Sequence, residues 1–311
     1  MDLRQLAALV AIADHGSFSA AARALYTVQS NVSTHVARLE RELHAVLVDR
    51  GTGELTEEGA IVVERARRIL RELDEITADI ASRDAEVAGD TRIGVIGTTA
   101  RWMMPRFLTE LSREHPRVRP LVYEGGTSSL LPRLVAGQLD AAIVHLPVDD
   151  VEIEVQPLFA EDLMLLVPAR HHLADRTEIG LAELAHEPLL LPPSTAALRR
   201  ILDRAAAHVG VSLTPQAEID GVRLLASLAF EGFGAAIVPA TAVPRWLTGE
   251  FTRVSVPELP RRVVGWAQRR RPRPGAPTRA ARDVAQNVIA TKGKRQPGVH
   301  TGSEVSPLAG R

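Results

Sequence analysis

Apolar residues recur every three or four positions along the start of the chain, which is the spacing of the buried face of a helix. The spacing predicts helices over residues 3–14, 18–25 and from 28 or 29 to about 43. Apolar residues on both sides of the Gly-rich turn 51–54 predict a small β-hairpin. Three short helices followed by a hairpin indicate a winged helix-turn-helix over residues 1–58.

A regular apolar seam runs through the segment that follows. Its pattern predicts one helix over residues 57–87, about 45 Å long for roughly 30 residues. A helix of this length cannot bury the seam on a small domain, so we expect a dimerisation helix; the alternative is a helix that lies on a neighbouring domain. The seam positions, spaced as in a coiled coil, are Val62, Ala66, Ile69, Leu73, Ile76 and Ile80.

From Thr91 onward, predicted strands and helices alternate, which is typical of α/β units with open sheets. The alternation comes in two sets, which we interpret as two lobes of one ligand-binding domain over residues 91–291, with crossovers near Ala160 and Arg262. Residues 292–311 are rich in Gly, Pro, Ser and Lys without periodicity, which predicts a disordered tail. The first lobe covers about 91–160 and 263–291, and the second lobe about 161–262.

Composition limits the chemistry of the chain. The 311 residues contain no cysteine, which excludes disulfides, thiolate metal sites and a thiol nucleophile within them. The formal net charge is −1, and residues 1–56 hold five arginines against six acidic residues. Bulk charge therefore gives no support to a nucleic-acid partner, and a DNA-binding function must depend on the local placement of side chains.

Other functional classes are disfavoured by missing motifs. The chain has no run of roughly 20 apolar residues, as a membrane helix needs, and no signal-peptide pattern at its start, so we expect a cytoplasmic protein with no membrane partner. It has no G-x-S-x-G motif, P-loop or H-E-x-x-H spacing, which disfavours an enzyme. His171 and His172 are predicted to be an exposed loop pair, and no metal site is predicted.

The stretch QSNVSTHVARLE, residues 29–40, changes character halfway. Its first six residues are polar apart from Val32, whereas its second half is an ordinary amphipathic helix. The second helix of a helix-turn-helix enters the major groove with its N-terminus first, where short polar side chains can meet base edges. The alternative is a capped, solvated helix start. The predicted contacts to bases or phosphates are Ser17, Ser19, Gln29, Ser30, Asn31, Ser33, Thr34, His35, Arg38 and Arg50.

The chain contains D-L-R-Q-L at residues 2–6, G-S-F-S-x-A-A at 16–22, Q-S-x-V-S at 29–33 and L-T-x-x-G at 55–59, with GQLDAAIV and EGFGAAIVP further on. These motifs resemble those of LysR-type transcriptional regulators. The resemblance implies an α/β protein in three parts. They are an N-terminal winged helix-turn-helix (motif about 18–37), a dimerisation helix over 59–88 and a C-terminal two-lobed α/β effector-binding domain resembling periplasmic binding proteins.

The resemblance also implies a function. Such a regulator binds double-stranded promoter or operator DNA as a homodimer assembling to a homotetramer, and contacts RNA polymerase if it is an activator. A small-molecule effector between the lobes, and no other cofactor, would control it. Ser30 replaces a proline common in the family, and Glu54 lies at the tip of an unusually short hairpin, so the wing is expected to add little. An effector-independent architectural DNA-binding protein is the alternative.

Effector contacts of the family fall on loops at strand ends, and several such loops carry polar residues here. A ligand in a two-lobed cleft meets strand ends and helix N-termini. Arg101 hints at an anionic effector, whereas the hydroxyl residues have helix capping as their alternative role. The candidate effector contacts are Thr98, Thr99, Arg101, Thr127, Ser128, His145, Ser194, Thr195, Asp220 and Gly221.

Overall fold

The chain divides into two compact units, the first formed by residues 1–85 with 136–138 and the second by residues 86–135 with 139–311. None of the helices in the described part of the chain is both long and apolar enough to cross a bilayer. The computed structural model describes residues 1–81, 86–243, 248–302 and 305.

The first unit opens with three short helices, α1 (Leu3–His15), α2 (Phe18–Ala24) and α3 (Gln29–Leu43). A capping box begins α1, because the Asp2 carboxylate accepts from the Gln5 N–H at 2.9 Å and the Gln5 side-chain oxygen accepts from the Asp2 N–H at 2.8 Å. Gly16 ends α1 with a φ of +72°, which favours glycine. Buried side chains from all three helices form one apolar core.

A short hairpin and a long helix, α4 (Glu57–Ala81), complete the first unit. Val48 and Leu55 form an antiparallel bridge across the hairpin. Glu40 of α3 accepts a hydrogen bond from the Leu47 N–H at 2.9 Å, which ties the hairpin to α3. The winged helix-turn-helix predicted from the sequence is therefore confirmed.

Helix α4 is shorter than the predicted linker helix, because residues 86–87 are not helical and a strand begins at Ala88. The predicted seam residues also fall into two groups, one packed in the core of the first unit and one exposed. Ala66 is fully buried in the core of its own unit, where Val62 packs as well, so the prediction that Ala66 faces a partner chain is wrong. The remaining seam residues are exposed: Ile69 by 41%, Leu73 by 39%, Ile76 by 59% and Ile80 by 61%.

The second unit alternates strands and helices. Its first part contains β1 (Ala88–Ile96), α5 (Gly97–Glu114), β2 (Arg117–Gly125), α6 (Thr127–Val135), β3 (Ala141–His145) and β4 (Ile153–Glu161). Next come β5 (Leu163–Pro168), α7 (Leu181–Leu184), β6 (Pro188–Leu191), α8 (Ala197–His208), β7 (Thr214–Glu218), α9 (Val222–Phe230), β8 (Ala235–Pro239) and β9 (Phe251–Ser255). The chain closes with β10 (Arg262–Arg269), α10 (Ala276–Lys292) and β11 (Val299–His300).

These strands form two open sheets, ordered β11-β4-β10-β3-β1-β2 and β7-β6-β8-β5-β9. Strand β1 runs parallel to β2 and β3, and β6 runs parallel to β7 and β8, so in each sheet several carboxyl ends share one edge. The chain leaves the first sheet after Glu161 and returns to it at Arg262. The predicted α/β fold class, with two lobes in the C-terminal unit, is confirmed.

The C-terminal segment carries regular structure, contrary to the prediction of a disordered tail over residues 292–311. Strand β11 pairs with the end of β4, Val299 packs into the core of the first lobe, and His300 Nε2 lies 2.8 Å from Asp162 Oδ1. Edge pairing and one buried valine hold this segment, and neither is visible in its polar composition. Part of the predicted tail, residues 303–304 and 306–311, lies outside the described residues.

Candidate functional sites

The polar residues that open α3 form one face of the first unit. On the opposite face, Val32, Val36 and Leu39 are each at most 1% exposed and anchor the helix in the core. One helix therefore separates an anchoring face from a polar face. Five of the predicted DNA contacts are exposed on the polar side, namely Gln29, Ser30, Asn31, Thr34 and Arg38.

Hydrogen bonds orient two of these exposed amides. Ser19 Oγ donates to Gln29 Oε1 at 2.9 Å, and Asn31 Nδ2 donates to Thr27 Oγ1 at 2.9 Å. Because the carbonyl oxygen of Gln29 is engaged, its amino group is the part that can donate to a base edge. The carbonyl oxygen of Asn31 can in turn accept from a base. Both side chains are therefore positioned before any partner binds.

Helix α3 also has a backbone feature suited to phosphate. Its N-cap residue is Val28, whose side chain makes no cap hydrogen bond and which is 60% exposed. The N–H groups of the first turn and the positive end of the helix dipole are then available to an anion. Base contacts and a phosphate contact can thus come from the same two turns.

Arg50 of the hairpin folds back on α3. Its Nη1 donates to Ser33 Oγ at 2.9 Å and its Nη2 donates to Glu40 Oε2 at 3.1 Å. Its guanidinium carbon lies 5.3 Å from the centroid of the Phe18 ring. Arg50 and Ser33 therefore lie beside the polar face of α3, whereas the hairpin tip offers the acidic Glu54.

Two further predicted DNA contacts, Ser17 and His35, are less exposed than the five residues on the polar face. Ser17 Oγ caps α2 by accepting from the Ala20 N–H at 3.2 Å. His35 is half-buried, and its Nδ1 is buried without a hydrogen-bond partner in the described part of the chain. The pKa of Asp2 is lowered mainly by the backbone hydrogen bond from Gln5 and also by nearby His35. His35 therefore lies near Asp2, at the start of α1.

The second unit holds a cavity of about 390 Å³ between its lobes, called the cleft below. Its walls come from the carboxyl ends of β1, β2 and β3 and from the N-terminal ends of α5, α6, α8 and α9. Strand ends and helix starts of both lobes therefore meet in one place. Six of the ten predicted effector contacts line the cleft: Thr98, Thr127, Ser128, His145, Asp220 and Gly221.

The other four predicted effector contacts do not line the cleft. Thr99 is fully buried, and Arg101 lies on α5 outside the lining. Ser194 and Thr195 are exposed and do not cap α8 either, because its N-cap residue is Ala196.

Three helices meet the cleft with first turns that receive no hydrogen bond from the N-cap side chain. The N-cap residues of α5, α8 and α9 are Ile96, Ala196 and Gly221. All three line the cleft. Backbone N–H groups and the positive ends of three helix dipoles therefore converge on one cavity, an arrangement that favours a negatively charged group.

A buried ion pair lies where the chain crosses between the lobes. Arg262 donates to Glu161 Oε1 from Nε at 2.9 Å and from Nη2 at 2.5 Å, and Nη2 also donates to Thr98 Oγ1 at 2.8 Å. Glu161 Oε2 accepts from the N–H and hydroxyl of Thr241 at 3.0 and 2.6 Å. Arg262 lines the cleft, although its side chain is only 3% exposed. The sequence placed a crossover at Arg262 without identifying this role.

His145 supplies a neutral imidazole to the cleft. Burial, and then the positive charge of Arg262, lower the pKa of His145 to about 4. Its Nδ1 is buried and has no hydrogen-bond partner among the described residues. The His145 N–H donates to Thr127 Oγ1 at 3.3 Å. A neutral ring can act as a hydrogen-bond donor or acceptor.

An ion pair joins the two lobes at the cleft. Arg223 Nη2 of α9 lies 2.5 Å from Glu124 Oε1 of β2, and both residues line the cleft. A Cβ atom on Gly97 would lie 2.8 Å from Glu124 Oε1, so glycine leaves room for the pair. Neither Glu124 nor Arg223 was predicted, because their partnership depends on bringing distant segments together.

The two units together define a DNA-binding head attached to a ligand-binding α/β domain. Residues 3–60 match the family described as "Bacterial regulatory helix-turn-helix protein, lysR family", and residues 84–290 match "LysR substrate binding domain". The chain therefore belongs to the LysR family. It is a LysR-type DNA-binding transcriptional regulator with an effector-binding domain.

Known proteins similar to this chain include proteins named as transcriptional regulators or gene activators. The "DNA-binding transcriptional dual regulator OxyR" of Escherichia coli K12 is 30% identical over 297 residues, covering 94% of this chain and 96% of that protein. A "Probable hydrogen peroxide-inducible genes activator" of Mycobacterium leprae is 34% identical over 247 residues, covering 77% and 78%.

Solved structures of full-length regulators have the same fold. A full-length OxyR variant from Pseudomonas aeruginosa superimposes with a TM-score of 0.76 at 25% identity, covering 93% of this chain and 95% of that one. CbnR complexed with its target DNA gives a TM-score of 0.68 at 22% identity, covering 93% and 100%. At this identity the second likeness bears on the fold alone.

Proposed function

We propose that α3 reads the operator sequence. Gln29 and Asn31 act on bases, Ser30, Ser33 and Thr34 on bases or phosphates, and Arg38 and Arg50 on the DNA backbone. Their exposure on one face and the hydrogen bonds that orient the two amides support these roles. Ser19 supports Gln29, Ser17 caps α2, and His35 is a further candidate contact to bases or phosphates.

We further propose that the cleft binds a small anionic effector. The observation that carries this proposal is the convergence of three helix N-termini on the cavity. Arg262 also lines the cleft, although its charge is paired with Glu161, and Thr127, Ser128 and His145 add hydrogen-bonding groups. A carboxylate would take the place beside the helix ends, and the polar groups would select the rest of the molecule.

The absence of cysteine limits the kinds of signal to which this chain can respond. Several relatives carry names that refer to hydrogen peroxide, whereas none of the 311 residues here is cysteine. Oxidation of a thiol within this chain is therefore impossible. We infer that this regulator responds by binding a ligand.

Effector control requires two arrangements of the lobes that bind the ligand with different affinities. The Glu124–Arg223 pair joins the lobes at the cleft, so a ligand that separates or tightens it would shift their arrangement. Exposed Ile69, Leu73, Ile76 and Ile80 are available for a homodimer, which assembles to a homotetramer. The regulator acts by binding in the cytoplasm and not by catalysis, and contacts RNA polymerase if it activates transcription.

A thermal-shift screen of the purified protein against metabolites tests the effector proposal. Carboxylates that bind should raise the unfolding temperature by mass action, and uncharged analogues of the same shape should not. Ser128→Ala should weaken the hit because Ser128 lines the cleft, whereas Ser194→Ala should leave it unchanged. The proposal would be contradicted if uncharged analogues raised the unfolding temperature as much as the carboxylates do. It would also be contradicted if Ser128→Ala and Ser194→Ala weakened binding of the ligand equally. A peroxide-treated sample should bind operator DNA as the untreated one does.

A further inference from the structure

Two histidines and one glutamate come together on the second lobe, outside the cleft. His171 and His172 lie in the loop after β5, and Glu187 immediately precedes β6. One ligand atom from each of the three residues can be chosen so that all lie within 4.8 Å of one another. The two imidazole rings stack with centroids 4.4 Å apart, and His172 Nε2 lies 2.9 Å from Glu187 Oε1.

Hydrogen bonds hold the two segments that carry these side chains. The His171 N–H donates to the Pro168 carbonyl at 2.9 Å, and His171 Nδ1 accepts from the Leu173 N–H at 3.3 Å. Nδ1 is therefore the His171 nitrogen that carries a lone pair, and it can bind a metal in place of the weak Leu173 hydrogen bond. The Glu187 N–H donates to the Leu184 carbonyl at 3.0 Å. The donor atoms are thus carried on anchored backbone.

The chemistry of the three donors points to one class of ion. Two imidazole nitrogens and a carboxylate oxygen suit Zn²⁺ and neighbouring divalent transition metals, whereas Mg²⁺ and Ca²⁺ prefer oxygen donors. Donors about 2.0–2.2 Å from a metal lie roughly 3.3–3.6 Å apart in a tetrahedral site. In the observed group these atoms lie within 4.8 Å of one another, so the 63% exposed side chain of His172 must rotate inward to bind an ion.

We propose that His171, His172 and Glu187 form a binding site for a divalent transition-metal ion such as Zn²⁺, with solvent in the fourth position. None of the three residues lines the cleft, so the site is separate from the proposed effector pocket. The metal would fasten the loop after β5 to the start of β6. Its expected effect is a more stable second lobe when the ion is bound.

Titration of the full chain, first stripped with a chelator, tests the proposal. Isothermal calorimetry with Zn²⁺ should show one site per chain that Mg²⁺ does not compete for. His171→Ala and Glu187→Gln should each weaken this binding by roughly tenfold or more, the scale of losing a ligand or its support. His186→Ala is the matched control, because His186 is an exposed histidine beside Glu187 that does not belong to the group.

A spectroscopic measurement distinguishes this site from other histidines. Bound Cu²⁺ should show nitrogen hyperfine lines from two imidazoles in electron paramagnetic resonance, and His172→Ala should reduce them to one. Zn²⁺ binding that is absent, or equally strong in all variants, or lost equally in His186→Ala, would overturn the proposal. Circular dichroism and operator binding should be unchanged in every variant, which separates failure of this site from failure of the DNA-binding and effector proposals.

Discussion

Replacing Arg262 with methionine removes the cation from the buried pair while retaining a long side chain. Glu161 is 0% exposed and would keep its carboxylate with only Thr241 as a donor. Removing one partner of a buried ion pair costs roughly 3–5 kcal/mol, because the remaining charge is uncompensated. The lost charge-assisted hydrogen bonds, worth about 1.5–3 kcal/mol each, give the same scale.

Thermal unfolding of the full chain measures this cost. For a domain of this size, each kcal/mol lowers the Tm by about 2–4 °C, so Arg262→Met should lower it by roughly 6–20 °C. The double variant Glu161→Gln, Arg262→Met should be more stable than the single variant, because it leaves no buried charge at this position. The thermal transition should be followed by a signal from the second unit.

Two outcomes would refute this reasoning. One is a decrease in Tm of less than about 2 °C for Arg262→Met, which would mean that the carboxylate of Glu161 is solvated in the variant. The other is a double variant whose loss of stability equals the sum of the losses in Glu161→Gln and Arg262→Met alone. The effects of substituting two residues in direct contact should not be additive.

Three further predictions concern other parts of the fold. Gly59→Ala should destabilise the first unit by roughly 1–3 kcal/mol, since its Cβ would lie 2.0 Å from the Leu47 carbonyl oxygen. His145, with a pKa of about 4 when folded, should make stability fall as the pH drops from about 6.5 to 4, and His145→Gln should flatten this change. Truncation after Lys292 should lower the Tm, because it removes β11.

Each of these predictions has its own check. Chemical denaturation measures the effect of Gly59→Ala. The control variant Glu58→Ala, at the exposed residue before Gly59, should leave the free energy of unfolding nearly unchanged. Calorimetry of wild type and His145→Gln across the pH range should separate the two curves only below about pH 6.5, where the unfolded histidine binds a proton that the folded one does not. An unchanged Tm after truncation would mean that the edge pairing with β4 contributes no stability.

The helices of the first unit could be predicted because each buries one stripe at helical spacing. The seam of α4 shows where this signal ends. Ala66 packs into its own unit while Ile76 and Ile80 are exposed, yet all three continue one pattern. Periodicity indicates that a stripe is apolar, but it does not indicate whether the same unit or another chain covers the stripe.

The cleft was predicted only in part, for a physical reason. Hydroxyl residues at strand ends could be recognised, and six of the ten candidates line the cavity. The uncapped starts at Ile96, Ala196 and Gly221 are backbone features that leave no polar signature in the sequence. The Glu161–Arg262 pair joins residues 101 positions apart, so it depends on how β4 and β10 pair.

The central claim is that the polar face of α3 reads DNA, and a binding measurement on Gln29→Ala tests it most directly. Operator fragments would be selected from genomic DNA by the full chain, and affinity measured at fixed salt on specific and unrelated fragments. We predict that Gln29→Ala weakens specific binding by roughly 1–3 kcal/mol, about 5- to 150-fold, without changing non-specific binding. Glu58→Ala, off this face, should bind normally. Unchanged operator affinity in Gln29→Ala would contradict the account.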